Sequence, residues 1–236
     1  MATEIKIINL GGVNCYLVNT DQGYLLIDTG FLSKRAKLVQ ELAAAGCRPG
    51  QLRLIILTHG DTDHADNAAY VREKYGAKIA LHALEAPLVE RGDMSGTRKA
   101  KPDKIGLIFR VMIPLAPVLF KTNAFEYFKP DFTIDEGFDL SEYGFAAKVL
   151  HLPGHSKGSI GILTPADFSV RPAGAGPVVF CGDLLYNFIG RPSCQLIDDL
   201  TDFNASIDKL KSLGVKMVYP GHGKPFSMDR LAENHR

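Results

Sequence analysis

Seven consecutive residues, Thr58-His59-Gly60-Asp61-Thr62-Asp63-His64, carry two imidazoles and two carboxylates. Imidazole nitrogen and carboxylate oxygen are ligands that divalent transition metals take. Crowded onto one tight loop, four such groups repel one another or stay unpaired unless a cation joins them. A polar loop with capping aspartates is the competing reading of the same stretch. The six residues before it, Leu52-Arg53-Leu54-Ile55-Ile56-Leu57, read as an apolar strand that would deliver the loop.

Three more short signals each set a ligand-type residue just after an apolar run. Leu152-Pro153-Gly154-His155-Ser156 follows an expected strand over 145–150, Gly182-Asp183 follows one over 178–181, and Pro220-Gly221-His222-Gly223 follows one over 215–219. A strand end followed by a tight Pro or Gly turn aims one side chain at the edge of a sheet. An early Leu26-Ile27-Asp28-Thr29-Gly30 stands at the end of another expected strand.

Taken in order, these five motifs resemble the metallo-β-lactamase-fold hydrolase superfamily, from about Asn14 to Pro225. The resemblance implies an α+β fold, a four-layer αβ/βα sandwich with an inserted helical and apolar segment. It also implies two adjacent divalent metal sites, with zinc the first expectation. His59, Asp61 and His155 would hold one ion, Asp63, His64 and His222 the other, and Asp183 would bridge both. A hydroxide at this dinuclear centre would attack an ester, lactone or thioester, with a phosphodiester as a further option, and Asp63 would share in catalysis. Tyr186, three residues after Asp183, occupies a spacing at which similar lactonases place a tyrosine that bonds the substrate carbonyl; a pocket wall is its other reading. Asp28 reads either as an acceptor orienting a ligand histidine or as a turn cap. Lactamase activity is not implied, because those enzymes usually carry Cys or Ser at the position of Asp183.

One position departs from the pattern. The superfamily usually reads His-x-His-x-Asp-His, and Asp61 stands where the second histidine would be. A carboxylate is a harder ligand, so it makes iron or manganese more acceptable beside zinc; the other reading of Asp61 is a helix cap or a partner of a ligand, beside a single-ion site. Flavo-diiron oxygen reductases also have a carboxylate there, and a diiron or mononuclear iron oxidoreductase is therefore the alternative function.

The elements that must position these residues follow from periodicity and turn signals. Strands are expected over 4–8, 13–18, 24–27, 52–57 and 78–81, and helices over about 33–45 and 65–75, closed by Gly46 and Gly76. His82 ends the strand at 78–81 and reads as a hydrogen-bonded structural histidine, and His151 as facing away from the site. Residues 85–130 break the pattern, with a basic piece from Arg91 to Lys104 and then an apolar run over 105–120. This reads as an insertion into a single domain spanning 1–236, serving as a lid or a homodimer contact. After it come the strands that deliver His155, Asp183 and His222, and a helix over 202–213. Two strand-rich stretches, each followed by helices, predict two sheets face to face with helices outside.

Composition narrows the function classes. With 46% hydrophobic and 22% charged residues the chain is of globular type, and a net charge of +1 offers no general pull toward nucleic acid or anionic lipid. A small-molecule substrate is the expected partner. The run 105–120 is too short for a membrane span and is broken by Arg110, Pro114 and Pro117. The N-terminus lacks the pattern of a signal peptide, and Cys15, Cys47, Cys181 and Cys194 form no CxxC pair, so free thiols and a cytoplasmic setting are expected.

Overall fold

The computed structural model describes residues 3–106, 110, 125–165, 176–188 and 192–232. The chain up to Thr133 builds strands β1 (Glu4–Asn9), β2 (Asn14–Thr20), β3 (Gly23–Ile27), β4 (Leu52–Ile56), β5 (Lys78–Leu81), β6 (Lys104–Ile105) and β7 (Phe132–Thr133). The remainder supplies β8 (Lys148–His151), β9 (Ile160–Thr164), β10 (Val178–Asn187), β11 (Leu196–Ile197), β12 (Met217–Gly223) and β13 (Phe226–Ser227). Helices α1 (Arg35–Ala44), α2 (Thr62–Ala65), α3 (Ala68–Tyr75), α4 (Ala86–Arg91) and α5 (Leu200–Ser212) lie between them.

Among the described residues the strands form two main sheets, ordered β1-β2-β3-β4-β5-β7 and β13-β12-β10-β9-β8. Alternation along each strand sorts the side chains into layers. Tyr16, Val18, Leu25, Ile27, Leu54 and Ile56 of the first sheet meet Val149, Ile160, Ile162 and Phe180 of the second. Their neighbours Cys15, Leu17, Leu26 and Ile55 turn the other way, onto Leu38 and Leu42 of α1 and Ala68, Val71 and Tyr75 of α3. The far face of the second sheet, with Val179, Cys181 and Val218, packs on Leu210 and Phe203 of α5. The result is the expected αβ/βα sandwich.

Strand direction explains where the candidate ligands gather. β3, β4 and β5 are mutually parallel, so their carboxyl ends share one edge, which brings Asp28, the His59–His64 loop and His82 to the same side. β10 and β12 are also parallel, with Gly182 opposite Pro220 and Tyr186 opposite His222. The two sheets are tied at this edge: Tyr16 Oη donates to Pro220 O at 2.6 Å, and Asn14 Nδ2 to Gly223 O at 2.7 Å.

β10 and β12 run further than expected, through Asp183 and His222 rather than stopping before them. Gly182 reads as a break in the sequence, yet its φ of +50° lets β10 kink and continue. A Cβ there would stand 2.5 Å from Thr58 Oγ1, so glycine is required on both counts. The helix following the metal-like loop begins within it, at Thr62. The apolar run 105–120, with its lid or dimer role, lies largely outside the described residues. No described helix is long and apolar enough to cross a membrane. The four cysteines are free and buried.

Candidate metal centre

All seven predicted ligand side chains reach the shared sheet edge. His59, His64, His155, Asp183 and His222 are buried, while the Asp61 and Asp63 side chains are 26% and 20% exposed, toward the opening. Two groups form around Asp183, one with Asp63, His64 and His222 and the other with His59 and His155. In the first, His64 Nε2 is 3.1 Å from Asp183 Oδ1, and His222 Nε2 is 3.2 Å from both Asp183 Oδ2 and Asp63 Oδ2. In the second, His59 Nε2 and His155 Nε2 lie 4.0 and 3.9 Å from Asp183 Oδ2. Asp61 Oδ2 is 3.5 Å from His59 Nε2 and 3.2 Å from His155 Nε2.

Each imidazole is fixed through its other nitrogen. His64 Nδ1 is 2.9 Å from Asp28 Oδ2, His59 Nδ1 3.0 Å from Thr58 Oγ1, His155 Nδ1 3.0 Å from Leu196 O and His222 Nδ1 2.8 Å from Gly12 O. That arrangement turns every Nε2 inward, as metal-ligating histidines require. Asp28 is the acceptor that orients His64, and it also takes Thr58 N at 2.8 Å, which ties the ligand loop to β3. It does so from a left-handed backbone, φ +59°, a conformation that asparagine also tolerates. Asp28→Asn is therefore expected to fold normally but to lose about 10- to 100-fold in metal affinity, the usual effect of removing such a partner. A competition titration with a chromophoric chelator checks this.

The site fits a cation on chemical grounds. His59 Nε2, His64 Nε2, His222 Nε2 and Asp183 Oδ1 are buried and make no well-aligned hydrogen bond among the described residues, although carboxylate oxygens face His64 Nε2 and His222 Nε2 at 3.1 and 3.2 Å. Buried polar atoms are rarely left so, and an ion satisfies them together. Gly221 keeps the space open, because a Cβ there would collide with Asp183 Oδ1 and stand 2.8 Å from His64 Cε1. Charge points the same way. Burial pulls the His64 and His222 imidazoles down, but the carboxylates outweigh it. Asp183, Asp28 and Asp63 hold His64 well above the ordinary histidine range, and Asp183 and Asp63 push His222 up to about 10. Burial likewise raises Asp183, and His222 and His64 overcome that to hold its carboxyl well below the usual range. Protons here occupy positions that a dication would take.

Tyr186 is 1% exposed, stacks on His222 and donates its hydroxyl to Asp183 Oδ2 at 2.5 Å. His82 and His151 stack on each other, with His82 Nε2 3.2 Å from Asp135 Oδ1, as a separate group. Two residues that the sequence analysis did not single out also shape the site. Glu85 is fully buried and accepts from Gly60 N at 3.0 Å, Ser156 Oγ at 2.7 Å and Gly158 N at 3.0 Å, joining the His59 loop to the His155 loop. Arg98 donates to Asp61 Oδ2 at 2.5 Å and to His155 Nε2 at 3.0 Å. A cavity of about 550 Å³ opens beside it, lined in part by Met94, Lys99, Ala100, Pro102 and Leu196.

Residues 8–222 match the family model of the metallo-beta-lactamase superfamily. The chain is 27% identical over 238 residues to the acyl-coenzyme A thioesterase MBLAC2 of Gallus gallus, covering 92% of this chain and 75% of the relative. It is 27% identical over 226 residues to the hydroxyacylglutathione hydrolase GloC of Haemophilus influenzae, covering 94% and 91%. In fold it is similar to BJP-1, a subclass B3 metallo-beta-lactamase of Bradyrhizobium japonicum, with a TM-score of 0.67 at 21% identity over 94% of this chain and 76% of that one. The chain belongs to the metallo-beta-lactamase superfamily and is a metal-dependent hydrolase.

Proposed function

We propose that the chain hydrolyses an acyl thioester, using a divalent ion held by Asp63, His64, Asp183 and His222. The observation that carries the metal assignment is the convergence of Asp63, His64, Asp183 and His222, whose potential ligand atoms lie within 4.8 Å of one another, with no well-aligned hydrogen bond to His64 Nε2, His222 Nε2 or Asp183 Oδ1 among the described residues. Two nitrogens and two carboxylates suit zinc, and the carboxylates keep iron and manganese acceptable. The ion would lower the pKa of a water and stabilise negative charge developing on the attacked carbonyl.

The protein's own groups supply the rest. Asp28 and Gly12 O hold His64 and His222 in the tautomer that keeps each Nε2 lone pair free. Tyr186 pins Asp183 by its hydroxyl, which supports a positioning role. Asp63, more open than Asp183, would accept a proton from the attacking water and pass it toward the leaving group, a role its exposure supports.

The thioester is favoured for two reasons. Both curated relatives bear names that describe acyl groups on a thiol carrier. A thiolate, with a free pKa of about 8.5, also leaves without the strong proton donor that an alkoxide demands. Ester and lactone cleavage are the nearest alternatives within the same acyl-transfer chemistry. An iron oxidoreductase finds no support in these relatives.

The test is a panel of acyl-coenzyme A, S-acylglutathione, aryl ester, lactone and phosphodiester substrates, run on metal-loaded protein. The expected outcome is a kcat/KM for one thioester at least ~10-fold above every other class, abolished by chelation; 10-fold corresponds to about 1.4 kcal/mol of transition-state preference. A leading ester, lactone or phosphodiester, or turnover that survives chelation, would contradict the proposal.

A further inference from the structure

Arg98 lies in the basic stretch before the apolar run, where nothing in the spacing marks it as part of the site. In the fold its side chain is 10% exposed and enters the half of the site built by His59, Asp61 and His155. The backbone on either side is clamped. Lys157 N donates to Thr97 O at 2.9 Å, two residues from His155. Lys99 N donates to both carboxylate oxygens of buried Asp198, at 2.9 and 3.1 Å. Asp198 N in turn donates to Gly154 O at 2.7 Å. Both flanks of Arg98 are thus tied to the loop that carries His155, so the guanidinium is placed by construction.

Its contacts with His155 and Asp61 are two of those an ion in this half would make. His155 Nδ1 donates to Leu196 O, which leaves the ring's lone pair at Nε2. Arg98 Nη2 donates to that lone pair at 3.0 Å and to Asp61 Oδ2 at 2.5 Å. A lone pair engaged by an N–H is closed to a metal. Metal-to-ligand distances are about 2.0–2.2 Å, so an ion bound to both His155 Nε2 and Asp61 Oδ2, which are 3.2 Å apart, would lie no farther than about 3.7 Å from Nη2. Two positive groups would then crowd one small pocket. In the other half no such cation intrudes: His64 Nε2, His222 Nε2 and Asp183 Oδ1 make no well-aligned hydrogen bond among the described residues, whereas in the Arg98 half that is true of His59 Nε2 and of Arg98 Nε, but not of His155 Nε2 or Asp61 Oδ2.

We propose that Arg98 is the resident cation of the His59–Asp61–His155 half, so that the protein holds one divalent ion tightly and a guanidinium beside it in place of a second. Arginine suits the task because it keeps its charge and presents several donors in one plane. The inference rests on the ion assignment under the proposed function, and the experiment separates the two.

The measurement is metal stoichiometry, by elemental analysis after dialysis and by calorimetric titration with zinc, for the wild type, Arg98→Met, His222→Ala and Arg98→Met/His222→Ala. The wild type is expected to hold one ion per chain and Arg98→Met two, with the affinity for the second ion rising at least ~10-fold, or about 1.4 kcal/mol. His222→Ala should hold none tightly, whereas the double variant should regain one. Two tight ions in the wild type, or one in Arg98→Met, would overturn the role of Arg98. No ion in the wild type, or one retained in His222→Ala, would overturn the ion assignment instead. If Arg98→Met fails to fold, Arg98→Gln takes its place, and the wild-type count alone still decides against the proposal if it is two.

Discussion

Asp183→Asn is expected to yield a folded protein that neither retains its metal nor turns over substrate. Asp183 is the carboxylate on which the site converges. Its Oδ1 faces His64 Nε2, and its Oδ2 takes the Tyr186 hydroxyl and faces His222 Nε2. An amide of the same shape removes the charge. It also turns one of these contacts into a donor, facing either a hydroxyl that already donates or an imidazole that must keep its lone pair. Loss of an outer partner costs metal affinity about 10- to 100-fold, and loss of a direct ligand should exceed that. The rate should fall by at least the roughly 10²–10³-fold that follows loss of one electrostatic stabiliser. Elemental analysis and kcat/KM on the same preparation check both. A variant with normal metal content and normal kinetics would remove Asp183 from the centre. A variant that keeps the ion but loses turnover would make it a group acting on substrate rather than a ligand.

Chelation is expected to destabilise the fold as well as stop catalysis. An ion present at about a thousand times its Kd adds about 4 kcal/mol to folding. For a chain of this size, each kcal/mol moves Tm by about 2–4 °C, so stripping the ion should lower Tm by roughly 10 °C. The buried carboxylates would not be left bare, because His64 and His222 take up protons in the ion's place. Rebinding must therefore expel protons. His222, pushed up to about 10 when no ion is bound, is protonated at pH 7, so metal affinity should rise as pH increases through neutrality. Calorimetry in buffers of different ionisation enthalpy measures the protons released. A Tm indifferent to chelation, or an affinity flat with pH, would contradict this picture.

How much of this could be read before the fold was known depended on distance along the chain. The His59–His64 loop is contiguous, and His155, Asp183 and His222 each sit beside a Pro or Gly at the end of an apolar run. Local composition therefore exposed them. The sandwich was legible from two strand-rich stretches separated by helical ones. The role of Asp28 was ambiguous because an Asp-Thr-Gly turn looks the same whether the carboxylate caps the turn or reaches His64, and only the packing of β3 on β4 distinguishes the two. Glu85 and Arg98 carried no local signal. Each acts on loops far from it in sequence, Glu85 on Ser156 and Arg98 on Asp61 and His155, and such pairings are set by tertiary packing. Tyr186 was visible as a candidate, but its bond to Asp183 depends on β10 continuing through Gly182, where a glycine normally signals an end.

The central claim is that separated side chains meet to hold a metal ion, and anomalous diffraction at the metal edge, on crystals of the protein as purified, tests it most directly. The account predicts an anomalous peak bonded to His64 Nε2, His222 Nε2 and the carboxylates of Asp63 and Asp183. A peak elsewhere, or none after soaking in zinc, manganese and iron salts, would contradict it.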